Sequence, residues 1–228
     1  MRLINPLINR PSALRNREAG RRLFILANGP SVLQHDLSLL KGELVVGMNA
    51  STMLEEKYGF ESKYYVLSDA RFINSPEKRC WATEKLANVT HRVLRSDLRP
   101  LDDPALENRT TYVTPLSRDG FSRNLAAGFH YGSTTTMLAL QLAWHLGTRE
   151  VYLLGCDLRY PEEYPRFYKE SVPQLEDAFT SVQISNIVNA AAVFEEAGGR
   201  LVNCGMRSFL RPYLHFDEFE DVLERSAL

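Results

Sequence analysis

The stretch 23–31 (LFILANGPS) constrains the fold of this chain more than any other. Its five apolar residues, 23–27, are typical of a buried parallel strand, and the Asn-Gly-Pro at 28–30 would end that strand. Ser31 and Gln34 have the spacing of a capping box, which predicts that a helix begins here. A strand, a tight turn and a helix N-terminus would place backbone N–H groups at the carboxyl edge of a sheet, where nucleotide phosphates and other anions bind.

The same turn could also be an ordinary connection between a strand and a helix. It has neither the G-x-G-x-x-G of a dinucleotide-binding turn nor the G-x-x-x-x-G-K-[ST] of a P-loop. The Asn28 side chain would lie at the strand tip, where it could hydrogen-bond a ligand. We therefore take Asn28, Gly29 and Ser31 as candidate ligand contacts.

Apolar runs alternate with helical patterns along the rest of the chain. This alternation predicts an α/β fold with a doubly wound, mainly parallel sheet. Further strands are expected at 43–47, 64–67, 93–94, 111–113 and 151–155, and the last at 200–203. Helices are expected at 133–146 and from about 175 or 181 to 197, with a short amphipathic helix within 216–224.

The length of 228 residues suits one large α/β domain. We expect residues 22–228 to form a single nucleotide-binding domain with a mobile lid at about 158–173, a segment rich in Tyr, Pro and Glu after a core strand. Residues 1–21 would form a basic N-terminal arm, because residues 1–22 contain six arginines and one glutamate. Such an arm could touch an anionic membrane face or simply be solvated.

Composition narrows the class of protein. The formal net charge of −1 gives no electrostatic reason to expect a nucleic-acid partner. Cys80, Cys156 and Cys204 show neither a disulfide framework nor metal-ligand spacing, which favours a reducing cytoplasm. No apolar run approaches the roughly 20 residues that span a bilayer, and the first residues lack the apolar core of a signal peptide.

Polar residues cluster at the predicted carboxyl ends of the strands, where doubly wound sheets bind ligands. Each cluster alone has an ordinary explanation, since Asn and Asp end strands and Ser and Thr cap helices. Together they predict a small-molecule site whose amides and hydroxyls suit a nucleotide without a metal cage. The five clusters are 28–31; Asn49; Ser68 with Asp69; Asp157 with Tyr160 and Tyr164; and Gly132, Ser133, Thr134 and Thr135.

Part of this pattern resembles a known family. Residues 26–31 (LANGPS) and 47–49 (GMN) look like the opening of the bacterial CMP-sialic acid-dependent sialyltransferases of glycosyltransferase family 42. Residues 132–147, which begin GSTT, and 151–157 (VYLLGCD) are similar to the second half of that core. The related DUF115 domains share the pattern; they include the 6-hydroxymethylpterin diphosphokinase MptE and flagellin-glycosylating Maf proteins. The similarity extends over about residues 22–205.

The resemblance implies a Rossmann-like fold, in its GT-A-like sialyltransferase variant, and roles for individual residues. Asn28 and Asn49 would contact the cytidine nucleotide of a CMP-sugar, and the turn 132–134 would hold its ribose or phosphate. Tyr160 and Tyr164 would stand for the paired tyrosines that stabilise the leaving phosphate. From the residues alone, packing of an amphipathic loop explains the two tyrosines equally well.

One departure from the family concerns the catalytic base. The sialyltransferases have a histidine shortly before the last helix, whereas residues 180–185 (TSVQIS) contain none. His130, beside the turn at Gly132, could take the proton instead. Asp69 is the alternative, because it would end a core strand and could titrate upward if desolvated.

Three functions are compatible with the sequence. One is a glycosyltransferase that uses a CMP-activated, nonulosonate-type donor and a glycan or lipid-linked acceptor for surface glycan or polysaccharide biosynthesis, without a cofactor. Another is an MptE-like diphosphokinase with Mg²⁺ on Asp69 and Asp157. The third is a nucleotide- or glycan-binding module without catalysis, which the missing histidine would explain.

Overall fold

Eight strands form one parallel sheet in the computed structural model, which describes residues 9–84, 89–101, 106–160, 166–170 and 177–224. The strand order is β5-β4-β3-β2-β1-β6-β7-β8, and every neighbouring pair is parallel. The strands are β1 (Arg22–Leu26), β2 (Val45–Met48), β3 (Tyr64–Leu67), β4 (His91–Arg95), β5 (Thr110–Val113), β6 (Glu150–Leu154), β7 (Arg200–Asn203) and β8 (His215–Phe216). The helices are α1 (Met53–Tyr58), α2 (Arg71–Asn74), α3 (Pro76–Thr83), α4 (Thr135–His145), α5 (Thr180–Glu196) and α6 (Phe219–Glu224).

This architecture confirms the predicted α/β, Rossmann-like, doubly wound sheet. The strand order extends one way from β1 to β5 and the other way from β6 to β8, so the direction of winding reverses between β1 and β6. The expectation that 200–203 is the last strand is wrong, since one further strand, β8, follows it. The two-residue β8 pairs with β7 through Val202 and His215, and so short a strand carries no alternating pattern in the sequence.

The two faces of the sheet are covered by different helices. On β1, Leu23 and Ile25 belong to the apolar cluster that includes α4 and α5, whereas Phe24 and Leu26 belong to the one that includes α6. This alternation follows from the two-residue period of a strand. Every residue of α4 is buried, which agrees with a helix that is apolar on most of its circumference.

The connection after β1 differs from the prediction. A short 3-10 helix, Pro30–Gln34, follows Gly29, and no side chain caps it, so the expected capping box is wrong. The Ser31 side chain hydrogen-bonds Asp157, which lies 126 residues later in the sequence. In a capping box the Gln34 side chain would accept from the Ser31 backbone N–H, whereas here the buried Asp157 carboxylate accepts from it. This tertiary contact is not visible in the local sequence.

Residues 9–21 of the predicted arm pack on the body of the protein. Leu14 is fully buried, and the backbone N–H groups of Asn16 and Glu18 donate to the last carbonyls around α4, those of His145 and Leu146, each at 2.9 Å. The Glu18 carboxylate is buried and accepts a hydrogen bond from the Tyr64 hydroxyl at 2.8 Å. Residues 1–8 lie outside the described residues, so the role of the basic arm stays a prediction.

Among the described residues, none of the helices combines the length and the apolar character needed to cross a membrane.

Candidate functional site

Two adjoining cavities open at the carboxyl ends of the strands. The inner cavity, about 80 Å³, lies at the ends of β1 and β6 and is bounded by Asn28, Gly29 and Asp157. The outer cavity, about 280 Å³, lies beyond β3 and is bounded by Ser68, Asp69 and Gln183. The residues that line both are Asn49, Thr134, Thr135, Tyr160 and Arg166. The reversal of strand order between β1 and β6 creates this crevice, as it does in other doubly wound sheets.

The inner cavity is built around Asp157. Its carboxylate accepts hydrogen bonds from the Ser31 backbone N–H, at 2.9 Å, and from the Ser31 hydroxyl. Burial raises the pKa of Asp157, and the bonds from Ser31 offset only part of that effect. The Ser31 N–H, one of those that the sequence suggested for phosphate binding, thus donates to a carboxylate of the same chain.

Gly29 permits this close approach. Its N–H donates to the Gly155 carbonyl at 2.7 Å, and a Cβ at this position would lie 2.5 Å from Cγ of Asp157. Real Cβ atoms do not come so close to another carbon, so any side chain here would displace the carboxylate. Gly29 therefore shapes the turn, and contact between its backbone and a ligand stays a prediction.

The Asn28 amide joins the ends of two strands. Its Nδ2 donates to the Met48 carbonyl at 2.9 Å, and its Oδ1 accepts from the Ala50 N–H at 3.0 Å. The residue is only 6 % exposed, and its carbonyl accepts from the Phe167 N–H at 3.1 Å. Asn28 borders the inner cavity as predicted, but much of its hydrogen-bonding capacity holds β1 against the turn after β2.

Asn49 faces both cavities and is less engaged. Its backbone is left-handed, with φ of 51°, a conformation that asparagine tolerates better than most residues. Its carbonyl accepts from the Tyr65 hydroxyl at 2.9 Å, whereas its side-chain Oδ1 is buried without a partner among the described residues. A buried acceptor of this kind is costly unless a ligand or water satisfies it. Asn49 thus has the unpartnered side-chain oxygen expected of a ligand-binding amide.

The turn before α4 forms one wall of the outer cavity. Thr134 caps the helix by accepting from the Thr136 N–H at 3.3 Å, so α4 begins two residues later than predicted. Ser133 has φ of 57° and lines the cavity, whereas Gly132 does not line it and packs closely against Met137. The Ser68 hydroxyl lies 3.0 Å from that of Thr135, which links the end of β3 to the start of α4.

The charged groups of the outer cavity are largely paired. Arg71 contacts Asp69 through its Nε, at 2.9 and 3.0 Å, and through its Nη2, at 2.7 Å. Burial by itself would raise the pKa of Asp69, but the hydrogen bonds and charge of Arg71 lower it on balance. The upward shift in pKa that desolvation alone would give Asp69 is outweighed by the facing guanidinium, and a role for Asp69 as the base stays a prediction.

His130 does not lie at either cavity, although its neighbour Tyr131 lines the outer one. Its Nδ1 lies 3.0 Å from the Ser117 hydroxyl and 3.2 Å from the Ser117 carbonyl. Its backbone N–H and carbonyl are both bonded to the buried Gln141 amide. The adjacency of His130 to Gly132 in sequence does not become adjacency to the site, because the chain turns between them.

Of the two candidate tyrosines, Tyr160 lines both cavities and Tyr164 lies outside the described residues. The Tyr160 hydroxyl is 3.5 Å from Oδ2 of Asp177, and the Arg166 guanidinium lies 4.9 Å from the centre of its ring. Burial raises the pKa of Tyr160, so its hydroxyl remains a proton donor near neutral pH. Of the predicted lid, 158–160 and 166–170 are described, and its mobility stays a prediction.

Two residues of the outer cavity, Gln183 and Asp177, were not predicted from the sequence. Gln183, in the stretch noted only for lacking a histidine, is 2 % exposed. Its Nε2 donates to the Ser133 carbonyl at 2.9 Å and to Asp177 at 2.8 Å, and its Oε1 is buried without a partner among the described residues. A signal existed, because Gln183 lies four residues before the buried Ile187, on the apolar face of the helix.

The carboxylates suggested for magnesium are separated. Asp69 lines the outer cavity and Asp157 the inner one, and each accepts hydrogen bonds from its own chain. In the part of the chain that the structure describes, no three His, Cys, Asp or Glu side chains are grouped so that they could hold a metal ion. Magnesium binding stays a prediction.

No protein-family model matches the chain, and no curated protein does. The solved structures that share its fold include the following two. The Maf glycosyltransferase from Magnetospirillum magneticum AMB-1 aligns over 96 % of this chain and 40 % of its own, with 14 % identity and a TM-score of 0.57. The sialyltransferase CstII from Campylobacter jejuni, solved with a substrate analogue, cytidine-5'-monophosphate, aligns over 87 % of this chain and 86 % of its own, with 13 % identity and a TM-score of 0.55. The chain thus spans less than half of the Maf protein, and at these identities the likeness shows the fold alone.

Proposed function

We propose that this chain is a glycosyltransferase that takes a nonulosonate-type sugar from a CMP-activated donor. The observation that carries the proposal is the pair of joined cavities at the reversal of strand order, bounded by amides and hydroxyls. The shared fold with a sialyltransferase that was solved with CMP supports it. The acceptor would be a glycan or a lipid-linked glycan in surface polysaccharide synthesis, and the basic N-terminal arm would bring the protein to the membrane face.

Different residues of the two cavities suit different parts of the donor. Asn49, which lines both cavities, offers an unpartnered amide oxygen to N–H or O–H donors of the cytidine. Ser133 and Thr134 lie at the N-terminus of α4, where the helix dipole favours a phosphate. The Tyr160 hydroxyl would donate to the phosphate as it leaves. Asn49, Thr134 and Tyr160 line both cavities and Ser133 lines the outer one, which is why we favour one donor that spans the two.

The sugar would occupy the outer cavity. Three arginines and two aspartates, Asp69 and Asp177, line this space, and a guanidinium group can donate paired hydrogen bonds to the carboxylate that such a sugar carries. The three arginines are Arg71, Arg95 and Arg166. Each of them also contacts a carboxylate of the chain, since Arg71 pairs with Asp69, Arg95 with Asp97, and Arg166 with Glu170 at 4.0 Å.

Thermal shifts with a panel of nucleotides test the proposal. CMP, CDP, UDP, GDP and ATP would each be added with and without Mg²⁺. We expect CMP or CDP to raise the melting temperature without metal, by several degrees at 100-fold excess over Kd, where binding adds about 2.7 kcal/mol to the free energy of unfolding.

Other results would point elsewhere. A shift by ATP that needs Mg²⁺ would favour the diphosphokinase. A shift by CMP together with no release of CMP from any CMP-sugar would favour a binding module. No shift by any cytidine nucleotide would contradict the proposed donor.

A further inference from the structure

Transfer of the sugar to a hydroxyl group of the acceptor needs a base that takes the hydroxyl proton. The inference about this base rests on the proposed function. Of the two bases suggested by the sequence, His130 lies away from both cavities, and Asp69 is held by the Arg71 guanidinium. The outer cavity has one other carboxylate among the described residues, that of Asp177. It lies just before α5.

Asp177 is held in place by hydrogen bonds from two directions. Its Oδ1 accepts from the Phe179 N–H at 2.9 Å, which fixes the carboxylate to the turn before α5. Its Oδ2 accepts from Nε2 of Gln183 at 2.8 Å and lies 3.5 Å from the Tyr160 hydroxyl. One oxygen is thus tied to the backbone, and the other is directed by side chains that line the same cavity.

Gln183 also indicates that a ligand binds in the outer cavity. It is a 98 %-buried amide whose Nε2 donates to two acceptors, the Ser133 carbonyl and Asp177, so its Oε1 must be the atom without a partner among the described residues. A substrate hydroxyl or amide that donates to Oε1 would satisfy it. An amide does not act as a general base, whereas a carboxylate such as the one that it orients does.

We infer that Asp177 is the proton acceptor of the transfer and that Gln183 is a positioning residue that orients it. The acceptor O–H proton passes to the Asp177 carboxylate as the acceptor oxygen forms its bond to the anomeric carbon. The bond from that carbon to the phosphate oxygen breaks, and its electron pair leaves with CMP. Tyr160 lies near both the base and the leaving phosphate, because its hydroxyl is 3.5 Å from Asp177 and the residue lines both cavities. Asp177 then releases the proton to solvent.

The experiment measures CMP release from CMP-N-acetylneuraminate, with water alone and with lactose as the acceptor. Asp177→Asn and Asp177→Ala should each lower turnover by about 100-fold or more, with CMP affinity within about twofold of the wild type. Sodium formate should restore part of the activity of Asp177→Ala, because the outer cavity can admit a small carboxylate where the side chain was removed. It should not restore Asp177→Asn, whose side chain still fills the space. Asp221→Asn, an exposed position on α6, is the matched control and should behave as the wild type.

Gln183 is tested through the geometry of Asp177. Gln183→Leu should lower kcat by about tenfold and leave the Kd for CMP nearly unchanged. Gln183→Asn, whose shorter amide keeps an N–H donor and adds no base, should retain more of kcat than Gln183→Leu. If the two variants lose kcat and CMP affinity equally, Gln183 is only a structural part of the cavity.

The outcomes separate the inference from the proposed function. Full turnover by Asp177→Asn overturns the inference and leaves the transferase intact. A loss in Asp177→Ala that formate does not restore also overturns it, because the carboxylate would then serve the fold or the donor. If the wild type neither binds CMP nor releases it from the donor, the proposed function fails, and the inference fails with it.

Discussion

The inner and outer cavities differ in how their polar groups are used. At the inner cavity, Asn28 bonds the backbone of the turn after β2, and Asp157 bonds Ser31, so polar side chains mostly satisfy one another. At the outer cavity, Gln183 has a buried oxygen without a partner among the described residues, and so does Asn49, which faces both cavities.

The predicted residues therefore fall into two groups, those that hold the site together and those that have a free hydrogen-bonding atom for a ligand. A polar group that is already paired holds backbone in place, and removing it costs stability. A buried acceptor that is unpaired costs free energy in the empty protein and becomes favourable only when a donor arrives. Substitutions on the two sides should therefore separate stability from binding.

The largest effect is expected from Gly29→Ala at the inner cavity. The new Cβ would lie 2.5 Å from Cγ of Asp157 and 2.6 Å from the Gly155 carbonyl, so the turn must move. We expect a loss of about 3 kcal/mol in the free energy of unfolding, measured by urea denaturation. Gly205→Ala is the matched control, because its Cβ would approach the Ser31 hydroxyl only to 3.3 Å. Equal losses in both variants would show that the close approach at Gly29 is not what matters.

Replacement of the two asparagines is expected to have an intermediate effect and should separate the two roles. Asn28→Ala leaves the Met48 carbonyl and the Ala50 N–H without their partner and should cost about 1–3 kcal/mol of stability. Asn49→Gly keeps the left-handed backbone and removes only the side chain, so stability should change little. It should weaken CMP binding by about tenfold, measured by calorimetry. The comparison fails if Asn49→Gly is the less stable variant or binds CMP normally.

The smallest effect is expected in the pH dependence of stability, and it has opposite signs at the two cavities. Burial raises the pKa of Asp157, so its contribution is fully present below about pH 4, near its usual pKa, and is lost as the pH rises through the folded value. Burial alone would also raise the pKa of Asp69, but Arg71 lowers it on balance. The contribution of Asp69 is therefore present above about pH 4 and is lost as the pH falls through the folded value.

Urea denaturation from pH 3 to 7 would measure the two contributions. Asp157→Asn should remove part of the loss of stability at rising pH, and Asp69→Asn part of the loss at falling pH. Glu55, whose pKa burial raises to about 7, is unchanged in both variants, so its contribution cancels in each difference from the wild type. Differences of the same sign would contradict the assignment.

Most of the fold could be predicted from the sequence, because local patterns of apolar residues indicate the strands and helices. The run 23–27 and the run 151–155 are apolar throughout, and they became β1 and β6 at the centre of the sheet. Helix α5 was expected because its apolar positions repeat at helical spacing before a Gly-Gly. Strand β8 was missed, because two residues are too few to show a period.

The candidate site was predicted less completely, for a different reason. Asn49, Ser68 and Thr134 do border the cavities, since the ends of parallel strands and the start of the following helix share one edge. His130 does not line either cavity, because closeness to Ser133 and Thr134 in the sequence does not fix which way a side chain faces, and its catalytic role stays a prediction. Gln183 was overlooked, because only the absence of a histidine drew attention to its stretch.

The types of secondary structure and the polar residues at their ends could be assigned from the sequence, because hydrophobic periodicity, turn residues and helix caps act over a few residues. Only the tertiary structure decided which of those polar groups satisfy each other. Ser31 meets Asp157 across 126 positions, and Gln183 meets Ser133 across 50, through the order of strands rather than through any local pattern. A hydrogen bond forms over about 3 Å, so whether an amide holds the fold or awaits a ligand depends on long-range packing.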